Sequence, residues 1–273
     1  MRRLRLLAFV PAVLALALVP TSAQAGTVPL PNSMAATGDS ITRAYNSTWF
    51  GCLLTDCPQY SWSTGTSAAV NSHYLRILAL HPAIEGHNYN DARTGAKMRD
   101  LQGQLALAAQ QRVQYVTVFM GANDVCTSSV DAMTSTADFS SQFASAMTSF
   151  FAANPRARVY VSSVPRVTRL YELFKDNLYA LLVWQIFNIC QTALPPGGTD
   201  ASRQQVDERE AAYNASLQQV CGRWPTKCRY DGGAGFGFAF PANDVSTVDY
   251  FHPSITGQMD IAALTWAHSY WAG

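Results

Sequence analysis

Charge is scarce in this chain. Only 14% of its 273 residues are Asp, Glu, Lys or Arg, and the signs nearly cancel at 19 basic against 18 acidic. No basic tract interleaved with aromatics is present, which argues against a nucleic-acid partner. No Cys-x-x-Cys pair occurs, and no histidine stands at ligand spacing from a cysteine, so a zinc site has no scaffold. A glycine-rich nucleotide-binding pattern is also missing. Beyond the first 25 residues no run is long and apolar enough to cross a bilayer. Internal repeats and long low-complexity linkers are absent. A single domain over residues 26–273 is therefore expected, with enough length for a large core.

The N-terminus is different in kind. Arg2, Arg3 and Arg5 form a basic start, Leu6 to Val19 is almost wholly apolar, and Ala23-Gln24-Ala25 is a small-x-small cleavage signal. This is the pattern of a secretory signal peptide over residues 1–25, with Gly26 as the mature start. The alternative is a membrane anchor. The run falls short of the roughly 20 apolar residues that span a bilayer, so export with cleavage into the extracellular space is the expectation. Loss of the three arginines takes the formal charge from +1 to −2, close to neutral.

All six cysteines lie outside the leader: Cys52, Cys57, Cys126, Cys190, Cys221 and Cys228. An even number in an exported chain suggests disulfides. Sequence alone leaves the connectivity open. The expected set closes the short loops Cys52–Cys57 and Cys221–Cys228 and leaves Cys126–Cys190.

Hydrophobic periodicity sketches the fold. Met34 to Thr37 reads as a strand entering a tight turn, and Tyr115 to Met120 and Val159 to Val164 read as buried strands rich in β-branched and aromatic residues. Helical spacing appears over Ser67–Leu80, Lys97–Arg112, Ala137–Ala153 and Asp207–Val220, and again from Ser254 to about Tyr270. Strands alternating with helices of this length predict an α/β fold, a mostly parallel sheet covered on both faces. Asp231 to Asn243, rich in glycine and aromatics, reads as loop or irregular strand.

Within that sketch, chemistry-bearing residues recur at element ends: Gly38-Asp39-Ser40, Gly95, Asn123 and Asp249-x-x-His252. Each has a bland interpretation as a turn, a strand-end loop or a helix cap. Together, and in this order, they supply what serine ester hydrolysis needs. A serine hydroxyl is a weak nucleophile unless a base takes its proton. Imidazole suits the task near neutral pH. A carboxylate on its far nitrogen holds the tautomer and orientation. Ser40 is the candidate nucleophile, His252 the base and Asp249 its orienting partner. The tetrahedral oxyanion then needs preorganised donors, for which Ser40, Gly95 and Asn123 are candidates. His73, His81, His87 and His268 have no carboxylate placed as Asp249 is. Neither a cofactor nor a catalytic metal is expected.

The four blocks Thr37-Gly38-Asp39-Ser40, Asn90 to Gly95, Gly121-Ala122-Asn123-Asp124 and Asp249-Tyr250-Phe251-His252-Pro253 resemble those of the SGNH, or GDSL, hydrolase family, across nearly the whole mature chain. The resemblance implies a flavodoxin-like three-layer α/β/α sandwich. It implies a Ser40, Asp249 and His252 triad, with an oxyanion hole formed by the Ser40 amide, the Gly95 amide and the Asn123 side chain. Ser61-Trp62-Ser63-Thr64-Gly65 and Asn123-Asp124-Val125-Cys126 resemble the phospholipase B-like branch. The Gly-x-Ser-x-Gly pentapeptide of the α/β-hydrolases is absent, which disfavours that fold.

A secreted monomeric esterase or lipase acting on lipid or phospholipid acyl esters through an acyl-enzyme is the expected function, with transient contact with a lipid surface. Two alternatives stand beside it: a carbohydrate acetylesterase on the same residues, and a secreted binding protein without turnover. Tyr179 to Ile189 is strongly apolar and reads either as a buried helix or as an acyl-chain wall or lid. Tyr45, Trp49 and Phe50, just after Ser40, are further candidates to line an acyl pocket.

Overall fold

The structure, a computed structural model, describes residues 28–271. The signal peptide expected over residues 1–25 therefore lies outside the described residues. Five strands form one sheet in the order β2-β1-β3-β4-β5: β1 (Met34–Gly38), β2 (Asn88–Asn90), β3 (Tyr115–Phe119), β4 (Arg158–Val161) and β5 (Cys228–Tyr230). All four pairings are parallel, with Met34 opposite Tyr115 and Val116 opposite Val159.

Strand alternation divides the core. In β3, Val116 and Val118 face one side with Ala35, Val159 and Val161. Against them pack α2 (Leu101–Gln110), α4 (Thr136–Ala153) and α7 (Asp200–Cys221), through Leu105, Phe143, Met147 and Tyr213 among others. Tyr115 and Phe119 face the opposite side with Met34 and Tyr160. There they meet Trp62, Tyr74 and Ile77, the last two from α1 (His73–Leu80), and Ala262 of α9 (Ile255–Ala267). The result is a three-layer α/β/α sandwich. Both faces of the sheet are apolar because both are covered.

Helix limits follow the caps. Ser67–Leu80 was expected to be helical throughout, yet α1 begins at His73. Asn71 takes a left-handed conformation (φ 51°), and the Ser72 side chain accepts from the Leu75 amide, which starts the helix there. At the other extreme, α7 begins seven residues before the expected Asp207 because Thr199 and Ser202 cap its end reciprocally. That first stretch is polar and shows no apolar stripe. Two further elements escape periodicity: the three-residue strand β2, Asn-Tyr-Asn, and α5 (Thr168–Phe174).

The long apolar segment forms α6 (Leu178–Phe187). Only Ala180 and Trp184 are buried in it, while Leu178, Tyr179, Leu182, Ile186 and Phe187 are exposed. A buried helix is thus the wrong description of most of this segment. Two short helices, α3 (Ala122–Val125) and α8 (Ala234–Gly237), occupy loops, the second within the irregular Asp231–Asn243 stretch.

Disulfides join Cys52 to Cys57, Cys126 to Cys190 and Cys221 to Cys228. Cys126–Cys190 ties the segment after α6 to the end of α3. No described helix is long and apolar enough to cross a membrane. His73 is fully buried and hydrogen-bonds Tyr115 Oη at 3.0 Å and Thr265 Oγ1 at 2.9 Å. Burial drives its pKa down to about 3, so it is a neutral core residue.

Phe143 is a direct probe of the α4 layer, since its side chain is fully buried. Phe143→Ala should cost about 3–5 kcal/mol in urea unfolding with an unchanged m value.

Candidate active site

The strand order reverses between β1 and β3. Chain segments leaving β1 and β3 travel to opposite sides, opening a crevice at the carboxyl ends of these strands, where ligands bind in such sheets. Ser40 follows β1 and Asn123 follows β3, so both stand at this crevice.

The turn carrying Ser40 demands glycine. A Cβ at Gly38 would lie 2.5 Å from the Phe119 carbonyl oxygen and 2.5 Å from Thr42 Oγ1. Gln104 of α2 grips the same residue twice. Its Oε1 accepts from the Gly38 amide at 2.8 Å, and its Nε2 donates to the Gly38 carbonyl at 2.9 Å. Asp39 Oδ1 accepts from the Ile41 amide at 2.9 Å, which bends the chain tightly around Ser40.

His252 arrives from a loop clamped on the far side of the chain. Val245 and Pro253 form an antiparallel bridge, the Ser246 amide donates to the His252 carbonyl at 2.8 Å, and the Ser254 amide donates to the Asp244 carbonyl at 2.7 Å. Ser254 then caps α9 by accepting from the Gly257 amide. This places His252 Nε2 2.8 Å from Ser40 Oγ. On its other side, His252 Nδ1 lies 2.6 Å from Asp249 Oδ2. Asp249 Oδ1 accepts from the Phe251 and His252 amides at 3.0 and 2.9 Å, and Asn46 Nδ2 donates to Oδ2 at 2.6 Å. Tyr45 packs edge-on against the imidazole, with ring centroids 5.1 Å apart.

The segments that carry the candidate donors are bonded to one another. Gly95 adopts φ 79°, a left-handed conformation suited to glycine, on an exposed turn. Asn123 does not sit in a plain loop: it lies in α3, and its Nδ2 donates to the Ala96 carbonyl at 3.1 Å. That bond uses one of two amide hydrogens, and among the described residues the other has no hydrogen-bond partner. The Arg93 amide donates to the Gly38 carbonyl at 3.2 Å, so the turn bearing Gly95 is bonded to both the Ser40 turn and Asn123. Asp124 braces the arrangement, accepting from the Met98 amide and from Thr134 Oγ1.

Two carboxyls here feel the same kinds of force with opposite outcomes. Burial raises Asp39 to about 7, opposed by the Ile41 hydrogen bond and the charge of His252. Burial also acts to raise Asp249. The charge of His252 and the hydrogen bonds from His252 and Asn46 outweigh it, so Asp249 ends below its ordinary value and is ionised at neutral pH.

Sequence reasoning missed Asn46 and Gln104. Gln104 carries a readable signal, a lone amide on the apolar side of α2 three residues after Leu101. Asn46 carries none. Of the aromatics after Ser40, Tyr45 stays at the site while Trp49 and Phe50 are exposed. Among the described residues no group of three or more His, Cys, Asp or Glu side chains is placed to hold a metal ion.

The model of the GDSL-like lipase/acylhydrolase family matches residues 36–259, and the chain belongs to that family. The membrane-associated phospholipase B1 of Rattus norvegicus is 27% identical over 227 residues, which are 72% of this chain and 15% of the relative. The chain thus matches a small part of that longer protein. A candidate GDSL-like lipase from Parabacteroides merdae superposes with a TM-score of 0.53 at 13% identity, covering 86% of this chain and 94% of the other. A catalytic mutant of an acetylxylan esterase from Geobacillus stearothermophilus gives 0.51 at 16% identity, covering 88% and 94%. At such identities these structures speak for the fold.

Asp39 makes a pH-dependent contribution to stability. Its folded pKa is raised, so its protonated form favours the native state, and that contribution is lost as pH rises from about 4 to about 7. Asp39→Asn should flatten this part of the curve and raise Tm at pH 8 by about 2–4 °C relative to the parent, with little change at pH 4, in thermal scans across pH.

Proposed function

We propose that the chain is an exported serine esterase of a single hydrolase domain, and that it hydrolyses lipid acyl esters through Ser40, His252 and Asp249. The observation that carries this reading is the unbroken hydrogen-bonded series Ser40 Oγ, His252 Nε2, His252 Nδ1 and Asp249 Oδ2, at 2.8 and 2.6 Å. His252 takes the Ser40 proton as Oγ attacks the ester carbonyl. Asp249 steadies the imidazolium. The developing oxyanion is met by the Ser40 and Gly95 amides and by the free amide hydrogen of Asn123. Collapse expels the alcohol, which receives the proton from His252, and leaves an acyl-enzyme. Water, deprotonated by the same imidazole, then releases the acid. Three disulfides and an N-terminal leader pattern support an extracellular location.

Two observations favour a long acyl group over acetate. An apolar cleft is lined by Ile41, Ala122, Phe251 and Pro253, the chain neighbours of Ser40, Asn123 and His252, and continues along Val167 and Leu170. Exposed apolar side chains also border the loop carrying His252. Trp49 donates to Thr247 Oγ1 at 3.0 Å, and its neighbours Phe50, Leu53 and Leu54 are exposed. Trp184 donates to the Tyr250 carbonyl at 3.2 Å, and the outer face of α6 is apolar around it. Both patches touch residues 247–250. A protein seated on them would cover the site, whereas a lipid surface would deliver ester to it.

A fluorophosphonate should label Ser40, and Ser40→Ala should abolish labelling and lower ester hydrolysis by at least about 10⁴-fold; an unlabelled parent with no activity on any ester overturns the reading. Leu170→Trp, which fills the cleft, should reduce hydrolysis of nitrophenyl octanoate by about tenfold or more relative to acetate. The pair Leu182→Asp and Ile186→Asp should weaken activity on phospholipid vesicles and spare nitrophenyl acetate. Equal losses on both substrates would remove the lipid-surface role.

A further inference from the structure

Asn46 occupies a singular place. It is buried, 2% exposed, and takes a left-handed conformation at φ 54°. Asparagine tolerates that region better than most residues. Both ends of its amide are engaged. Nδ2 donates to Asp249 Oδ2 at 2.6 Å, and Oδ1 accepts from the Leu54 amide at 2.6 Å. The partners settle the orientation of the amide, since an ionised carboxylate only accepts and a backbone N–H only donates. The backbone is held as well. The Asn46 amide donates to the Thr55 carbonyl at 3.3 Å, and its carbonyl accepts from Ser246 Oγ at 2.5 Å.

Leu54 and Thr55 lie inside the loop closed by Cys52–Cys57. That loop is tied back a second time, because the Cys57 amide donates to the Arg43 carbonyl at 3.0 Å, and Arg43 Nε lies 2.9 Å from Asp56. A rigid path therefore runs from the disulfide loop through Asn46 to the oxygen of Asp249 that meets His252. Asp249 Oδ2 receives two donors and Oδ1 two more, so the carboxylate is fixed in plane and in rotation.

We propose that Asn46 is a positioning residue of the hydrolase, holding the Asp249 carboxylate in line with His252, and that the Cys52–Cys57 loop is the brace that holds Asn46. The inference rests on the triad reading above. Asn46 does not touch the ester or the reacting atoms; it acts through Asp249. With its N–H removed, Asp249 Oδ2 keeps one donor and draws harder on the imidazole proton, so the His252–Asp249 pair holds its proton to higher pH. Other titratable groups near the pair are Tyr45, edge-on to the imidazole, and buried Asp39. Neither hydrogen-bonds Asp249, and neither is altered by substituting position 46.

The test is Asn46→Gly, which keeps the left-handed backbone and deletes the amide. On a nitrophenyl ester, kcat should fall about tenfold or more with KM within about twofold, and the acidic limb of the kcat profile should move up by about half a pH unit. Asn46→Asp, which sets a second carboxylate against Asp249, should move the limb further and cost more; it also carries the test if Asn46→Gly does not fold. Replacing Cys52 and Cys57 by Ala should shift the limb in the same direction. An acidic limb that stays in place in a folded Asn46 variant, or moves down, overturns the proposal whatever happens to kcat. Fluorophosphonate labelling separates the two levels. If the parent labels at Ser40 and the limb is unmoved, positioning by Asn46 fails alone; if the parent does not label, the triad reading fails and this inference falls with it.

Discussion

The contact between Ser40 Oγ and His252 Nε2 joins two points 212 residues apart in sequence. The turns on either side of it are held by the surrounding structure. Closing so long a loop for one hydrogen bond is entropically unfavourable by itself. It becomes affordable because both partners sit on turns already held by the fold. The Ser40 turn is fixed by the sheet, by Gly38 packed on the Phe119 carbonyl and by the two bonds to Gln104. The His252 loop is fixed by its bridge to Val245 and by the start of α9. The side chains therefore meet with little left to order.

The low charge content shapes how the site is built. Ion pairs Arg43–Asp56 and Arg93–Asp100 stand on the segments beside it, and hydrogen bonds orient the carboxylate of Asp249. Asp249 is buried, yet four donors compensate it. Asp39 is buried with fewer partners, and its pKa rises accordingly. Two carboxyls within the same turn cluster thus settle into different protonation tendencies, set by hydrogen-bond supply and by nearness to His252. The exposed apolar faces of α6 and of the loop around Trp49 complete the picture: polarity is concentrated inward at the site, and apolar surface faces outward beside it.

The legibility of the fold varied by element. Long buried segments were visible, because β3 and β4 must be apolar on both faces and α4 must present Phe139, Phe143 and Phe150 to them. Short or polar elements were not. Strand β2, Asn-Tyr-Asn, is a strand because β1 offers it a hydrogen-bonding edge, which no property of the three residues encodes. The first turns of α7 are helical by capping and not by an apolar stripe. For α6 the strongly apolar run left a buried helix and an acyl-chain wall or lid both open, and the outcome turned on whether a partner surface covers it; only Ala180 and Trp184 find one. At the site, the candidates Ser40, Gly95, Asn123, Asp249 and His252 stand out in the sequence because acyl transfer restricts residue type and order. Asn46 was invisible, since an asparagine in a loop has many ordinary uses and its partner lies 203 residues away.

By itself the sequence determined the alternating α/β pattern, the residue types able to carry acyl transfer and the order in which they occur. Those properties are local: periodicity follows from helix and strand geometry, and side-chain chemistry from each residue alone. Tertiary structure decided which of those residues touch, how Asp249 is held, which apolar segments stay at the surface and how the short strands pair. These depend on contacts between distant parts of the chain, where the free energy of each bond is set by what surrounds it.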